Sequence, residues 1–187
     1  DQGATIHQGH AASHLGDAEL VVYTAAARPD NPELTEARRR GLPLLQRAEM
    51  IARLLEGRQA IAVAGSHGKT TTTALVAFML QEAGCDPTFL VGGEILDLGT
   101  NARAGRGEHI VVEADEFAGA FLHYRPQVAV VTNIEPDHLD FYGSFQRLTA
   151  AFRQFMSQVA ADGFVIACSD DPTVRDILAH PRAEPPI

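Results

Sequence analysis

The sequence predicts an α/β protein whose sheet is mostly parallel and carries helices on both faces. Short continuous apolar runs, typical of strands buried on both sides, occur at 59–64, 87–91, 109–114, 127–132 and 163–167. Helical patterns lie among them at 70–83, 144–160 and 172–179. Because strands alternate with helices, the strands are expected to run parallel, joined by helical crossovers.

The first quarter of the chain has a different pattern. Residues 19–24 (ELVVYT) predict one short buried strand, and Asn31 is positioned to cap a helix over 33–40. A second helix is predicted over 47–56, and we place the main domain boundary near 46–58.

Composition excludes several classes of function. The formal net charge of −9 argues against a broad nucleic-acid surface, although a local loop can still bind phosphate. No apolar run is long enough to span a membrane and no signal peptide opens the sequence, so we expect no membrane partner and a cytoplasmic location. Cys85 and Cys168 are too few for a disulfide framework and are expected to be reduced.

A candidate phosphate-binding loop follows the run at 59–64 and opens the next helix. It comprises Gly65, Ser66, His67, Gly68, Lys69, Thr70 and Thr71. Glycines let backbone N–H groups approach phosphate oxygens, Lys69 can reach the β- and γ-phosphates of ATP, and the Thr70 hydroxyl can ligate Mg²⁺. The loop has the short GxxGKT form, since Val63 stands where the longer pattern has its first glycine.

Lys69 is the only lysine in the chain. All other basic side chains apart from histidine are arginines, and a compact ammonium suits a phosphate site. The alternative is a chance glycine-rich turn before a helix, which the order of strand, loop, Lys-Thr and helix makes the weaker interpretation.

Acidic and histidine residues follow two other predicted strands. Glu113 is the first acid after the apolar residues 110–112 of the third predicted strand and is our candidate Mg²⁺ ligand; a solvated acidic turn is the alternative. His138 follows the run at 127–132 and is a second candidate ligand, with Asp137 or Asp140 available to orient its imidazole. A structural histidine is the alternative there.

Four motifs together resemble the Mur ligases of cell-wall synthesis. They are GSHGKTTTTA at 65–74, EADE at 113–116, FLHYRPQVAVVTNIEPDHLD at 121–140 and DDP at 170–172. The upstream stretch HQGHAASHLGDAELVVYTAAARPDNPEL at 7–34 is also similar, so the resemblance covers nearly the whole chain. Within the family, the loop histidine and the TNIEPDH run favour the members that add L-alanine to UDP-N-acetylmuramate.

The resemblance implies a domain organisation. Residues 1–45 would be the C-terminal part of the UDP-sugar-binding domain, the remnant of a Rossmann-like domain. Residues 46–187 would be the central ATP-binding domain, P-loop NTPase-like and incomplete. The sequence begins without an initiator Met and ends in Pro-Pro-Ile, so we expect a fragment that is inactive in ligation on its own.

The resemblance also implies roles for individual residues. ATP and Mg²⁺ would be the cofactors, with Lys69 as the P-loop lysine, Thr70 and Glu113 as Mg²⁺ ligands and His138 as the ligand of a second Mg²⁺. The activity implied is ATP-dependent amide ligation in peptidoglycan precursor synthesis, on which cell shape and division depend.

Two departures from the family pattern stand out. Phe117 and Ala118 occupy positions where the L-alanine-adding members usually have Ser or Tyr and then Asp. No lysine follows Lys69, so the carbamylated lysine by which several family members hold the second Mg²⁺ is excluded; the L-alanine-adding members do without it.

Three alternative functions remain open from the sequence. A ligase that recycles murein tripeptide shares the histidine-containing loop, although its Asp-His turn usually differs. A folylpolyglutamate-type ligase belongs to the same superfamily, but the first 45 residues argue against it. A P-loop binding or switch protein that hydrolyses nucleotide without ligation is the third.

Overall fold

The computed structural model describes residues 3–180. The chain divides into two compact units, Asp1–Met50 and Ile51–Ile187. Within the described residues, no helix is long and apolar enough to cross a membrane.

The first unit is built around a small parallel sheet. Strand β1 (Val21–Tyr23) pairs with β2 (Leu44–Gln46), and helix α1 (Pro32–Arg40) connects them. The helix begins where the Asn31 side chain accepts hydrogen bonds from the next backbone N–H groups, as predicted. β2 was not predicted, because it follows Pro43 and runs directly into helix α2, so no separate apolar run marks it. Helix α2 (Arg47–Leu55) runs across the unit boundary.

The second unit contains a six-stranded sheet in the order β5-β4-β6-β3-β7-β8. Its strands are β3 (Gln59–Ala64), β4 (Thr88–Ile95), β5 (Thr100–Arg103), β6 (His109–Glu113), β7 (Val128–Val131) and β8 (Phe164–Ala167). Every neighbouring pair is parallel except β4 and β5, which are antiparallel. The α/β class with a mostly parallel sheet is therefore confirmed.

The helices of this unit are α3 (Lys69–Glu82), α4 (Leu139–Tyr142), α5 (Phe145–Ser157) and α6 (Pro172–Ala179). Helix α3 packs against β4 and β6, and Ala77 meets Phe89 and Val111 there in a buried apolar cluster. Ile110 and Val112 point to the opposite face of the sheet and are equally buried, so both faces are covered.

Two predicted elements differ from the structure. The run at 87–91 predicted a short strand, but β4 continues to Ile95. The chain then turns back into β5, an antiparallel partner of β4 that was not predicted. Gly92 and Gly93 interrupt the apolar pattern, so only the pairing with β5 reveals the continuation. The helix predicted at 144–160 ends at Ser157, and the single turn of α4 precedes it.

Candidate active site

The candidate phosphate loop joins β3 to α3 at the centre of the sheet. Gly65 has φ 137° and Gly68 has φ 79°, a backbone region that side chains rarely adopt. A Cβ atom at Gly65 would overlap the Thr132 hydroxyl. Glycine at position 65 is therefore required by both conformation and space.

The segment after β7 braces the near side of this loop with hydrogen bonds. The Ser66 N–H donates to the Asn133 carbonyl at 3.0 Å, and the His67 N–H donates to Asn133 Oδ1 at 2.9 Å. Asn133 Nδ2 and the Thr132 hydroxyl both donate to the His67 carbonyl, at 3.1 and 2.6 Å. These four hydrogen bonds hold the backbone of the loop in shape. The His67 imidazole itself is exposed, 3.4 Å from the Glu135 carboxylate.

Lys69 lies at the first turn of α3, and its ammonium points back into the loop. Nζ donates to the Gly65 carbonyl at 2.6 Å and lies 2.9 and 3.1 Å from the two carboxylate oxygens of Glu116. The Glu116 side chain is only 1% exposed and that of Lys69 14%. Lysine and glutamate therefore form a buried ion pair beneath the loop.

Thr70 and Glu113 form the second contact between the loop and the end of β6. The Thr70 hydroxyl lies 3.1 Å from each carboxylate oxygen of Glu113, and the Gly92 N–H donates to Glu113 Oε2 at 2.7 Å. Oxygen ligands of octahedral Mg²⁺ lie 2.0–2.1 Å from the ion, so neighbouring ligands are about 3 Å apart. The Thr70–Glu113 pair has the chemistry and the spacing of two such ligands.

His138 lies beside two acidic residues, Asp115 and Glu116. Its nearest ring nitrogen and one oxygen each of Asp115 and Glu116 all lie within 4.8 Å of one another. The imidazole lies 3.8 Å from Asp137 and meets the Phe117 ring edge-on, with 5.3 Å between centroids. His138 also has φ 52°, which a histidine rarely adopts.

Tyr142 anchors the segment that carries these acids. Its hydroxyl donates to the Glu116 carbonyl at 2.6 Å. Burial, together with the nearby charges of Glu116 and Asp115, raises the pKa of the Tyr142 phenol, so the hydroxyl stays protonated and keeps donating. Sequence reasoning missed Glu116, Tyr142 and Asn133. Two of them lie in motifs that the sequence analysis named, Glu116 as the last acid of EADE and Asn133 in the TNIEPDH run.

The loop surrounds an open cleft of about 410 Å³. It is lined by Ser66, His67, Gly68, Lys69, Thr70, Thr71 and Glu113. All these residues are candidates named from the sequence, and the structure brings them to one edge of the sheet.

Comparison with known families decides the affiliation of the chain. Residues 63–185 match the model of the Mur ligase middle domain, which is more than half of the chain. The chain belongs to the Mur ligase family. Residues 1–59 of this Mur ligase chain also match a second model, described as Mur ligase family, catalytic domain.

Similar proteins are UDP-N-acetylmuramate–L-alanine ligases. That of Pelotomaculum thermopropionicum is 52% identical over 95% of this chain and 38% of its own length. That of Aquifex aeolicus is 51% identical over 97% of this chain and 40% of its own length. The chain thus spans about two-fifths of the length of these relatives.

Solved structures agree with this grouping. The UDP-N-acetylmuramate-alanine ligase of Thermotoga maritima is 34% identical, with a TM-score of 0.81 over 90% of this chain and 39% of that chain. A UDP-N-acetylmuramate:L-alanyl-gamma-D-glutamyl-meso-diaminopimelate ligase from Neisseria meningitides is 28% identical, with a TM-score of 0.82 over 92% of this chain and 59% of that chain.

Proposed function

We propose that this chain supplies the ATP-binding part of a ligase that joins L-alanine to UDP-N-acetylmuramate. The observation that carries the proposal is the braced loop with Lys69 beneath it and the Thr70–Glu113 pair beside it. The substrates follow from the names of relatives that are about half identical to the chain. The product would be a peptidoglycan precursor made in the cytoplasm.

ATP would lie with its β- and γ-phosphates in the cleft. Backbone N–H groups of Gly68 and Thr70, together with the start of α3, would bind phosphate oxygens, and Lys69 would neutralise their charge. Thr70 and Glu113 would hold one Mg²⁺ and His138 a second. Mg²⁺ held by these residues would supply positive charge that offsets the negative charge of the phosphates.

Two successive steps would form the amide. A carboxylate oxygen of UDP-N-acetylmuramate attacks the γ-phosphorus of ATP, the bond to the β-phosphate oxygen breaks, and ADP leaves. The amine nitrogen of L-alanine then attacks the acyl carbon, inorganic phosphate leaves, and the nitrogen loses a proton. The chain's own contribution is positioning and charge neutralisation, mainly through Lys69, and no side chain acts as nucleophile.

We propose that ligation also requires the parts of the relatives that this chain does not match. Since the chain spans only about two-fifths of its relatives, we propose that it does not catalyse ligation alone. A coupled assay with ATP, Mg²⁺, UDP-N-acetylmuramate and L-alanine tests this. Ligation by the chain at the rate of an intact relative would contradict the proposal.

Product analysis tests the function itself in a full-length ligase containing this chain. We expect ADP, phosphate and UDP-N-acetylmuramoyl-L-alanine in equal amounts. Nucleotide hydrolysis without amide formation would instead identify a switch or binding protein.

A second candidate function is recycling of murein tripeptide. It is supported by the structural similarity to the Neisseria ligase, which is named for that tripeptide. Competition between L-alanine and L-alanyl-γ-D-glutamyl-diaminopimelate for the same UDP-sugar distinguishes the two. If the enzyme preferred the tripeptide, the tripeptide and not L-alanine would be the substrate that supplies the amine. The proposal for the nucleotide site would not change.

A further inference from the structure

We infer that Glu116 is a positioning residue that sets where the Lys69 ammonium points. The inference rests on the proposed function, since it assigns Glu116 a part in ATP turnover. It starts from the buried ion pair beneath the loop, in which Lys69 Nζ lies 2.9 Å from Glu116 Oε2.

An ammonium group has three N–H donors. In Lys69 one donor is taken by the Gly65 carbonyl and another by the Glu116 carboxylate. Among residues 3–180 the ammonium contacts no further acceptor. With two donors fixed, the direction of the remaining one is fixed as well, and it is left for a phosphate oxygen.

Glu116 is itself held firmly. Its side chain is 1% exposed, so the carboxylate cannot turn into solvent without rearranging the segment around it. Its carbonyl accepts from the Tyr142 hydroxyl at 2.6 Å and from the Gly119 N–H at 3.0 Å. A buried carboxylate that loses its cation is strongly destabilised, so we expect Lys69 to keep this partner while it binds phosphate.

Glu116 and Glu113 therefore differ in task, although both belong to the EADE segment. Glu113 accepts from the Thr70 hydroxyl and the Gly92 N–H, and among the described residues it has no cationic partner. Its oxygens lie at the cleft, where a metal ion can use them. Glu116 instead faces the lysine, which makes it a group that acts through Lys69.

Glu116→Gln tests this assignment because it keeps the shape and one acceptor oxygen but removes the charge. Lys69 should then sample several directions, and kcat should fall by at least ~10-fold. The KM for ATP should change by less than ~3-fold, because the freed positive charge still attracts phosphate. Glu116→Asp, which keeps the charge, should recover part of kcat.

Lys69 offers a direct readout because the chain contains no other lysine. With ¹⁵N-labelled lysine, the 187-residue chain should give a single side-chain ammonium signal, sharp because the ion pair slows exchange with water. We expect Glu116→Gln to broaden or remove this signal. Glu108→Gln, the same chemical change at an exposed carboxylate, should leave it unchanged.

The outcomes separate this inference from the proposed function. No ligation by the wild-type full-length protein would overturn the function, while the ammonium signal would still test the ion pair. Normal kcat and an unchanged signal in a folded Glu116→Gln variant would overturn the inference alone. If Glu116→Asp recovered no kcat, the result would also count against the inference. The loss of kcat would then come from a structural defect and not from the missing charge.

If Glu116→Gln does not fold, Tyr142→Phe carries the test. It leaves the charge in place and removes only the hydrogen bond that anchors the Glu116 backbone. A lower kcat with KM for ATP within ~3-fold would support positioning. An unchanged kcat would overturn it.

Discussion

The two strands that flank β3 support the phosphate loop in different ways. The segment after β6 contributes charge, because Glu113 pairs with Thr70 and Glu116 with Lys69. The segment after β7 contributes neutral hydrogen bonds from Thr132 and Asn133, which hold the backbone of the loop. One side thus supplies electrostatics and the other supplies shape.

The largest effect on ligation is expected at Lys69, which forms the ion pair with Glu116. Lys69→Ala removes the cation that faces the phosphates and leaves Glu116 as an uncompensated buried carboxylate. We expect ligation by the full-length enzyme to fall by ~10²-fold or more. Steady-state kinetics measures this, with thermal unfolding alongside to separate lost chemistry from lost stability. Near-normal kcat/KM would rule out our assignment of the loop.

Glu113 should come next, with an effect that depends on metal concentration. Glu113→Gln keeps the hydrogen bond to Thr70 but weakens the proposed Mg²⁺ site, so we expect activity ~10- to 100-fold lower, partly recovered by excess Mg²⁺. A Mg²⁺ titration of the ligation rate measures it. The same Mg²⁺ dependence in wild type and variant would place the metal elsewhere.

Asn133 should show a smaller effect with a different signature. Asn133→Ala removes both side-chain hydrogen bonds to His67, so the loop loses part of its preorganised shape. At about 0.7 kcal/mol for each bond, or about 1.4 kcal/mol for the two, nucleotide affinity should fall by roughly 10-fold. Titration with a fluorescent ATP analogue checks this. Mg²⁺ dependence like that of the Glu113 variant would contradict the division between shape and charge.

His67 should have the smallest effect. Its backbone lines the loop, but its imidazole is 66% exposed and its partner Glu135 60% exposed, and solvent-exposed pairs contribute little. We expect His67→Ala to change the KM for ATP by less than ~3-fold. A larger loss would mean that the ring itself contacts the nucleotide, which would give the β7 side a direct binding role.

The sequence was sufficient for those parts of the site that depend on local pattern. Lys69 and Thr70 follow from one motif, and Glu113 follows from the rule that parallel strands end at a common edge. The structure accordingly places Thr70 and Glu113 3.1 Å apart. Their roles in binding Mg²⁺ stay predictions.

Glu116 could not have been singled out in the same way. The chain turns at Ala118 and Gly119, which both have positive φ, and this turn is not visible in a pattern of apolar residues. This turn decides which acid of the EADE segment faces Lys69. β5 was missed for a related reason, since its only support is the antiparallel pairing with β4.

The strand order gives the cleft its position before any side chain is considered. From β3 the chain leaves through α3 toward β4, on one side of the sheet, whereas from β7 it leaves through α5 toward β8, on the other. Between β3 and β7 the connections diverge, and such a topological switch point opens a crevice at the carboxyl ends of the strands. A nucleotide bound at this crevice would therefore lie at the N-terminal end of α3, which begins at Lys69.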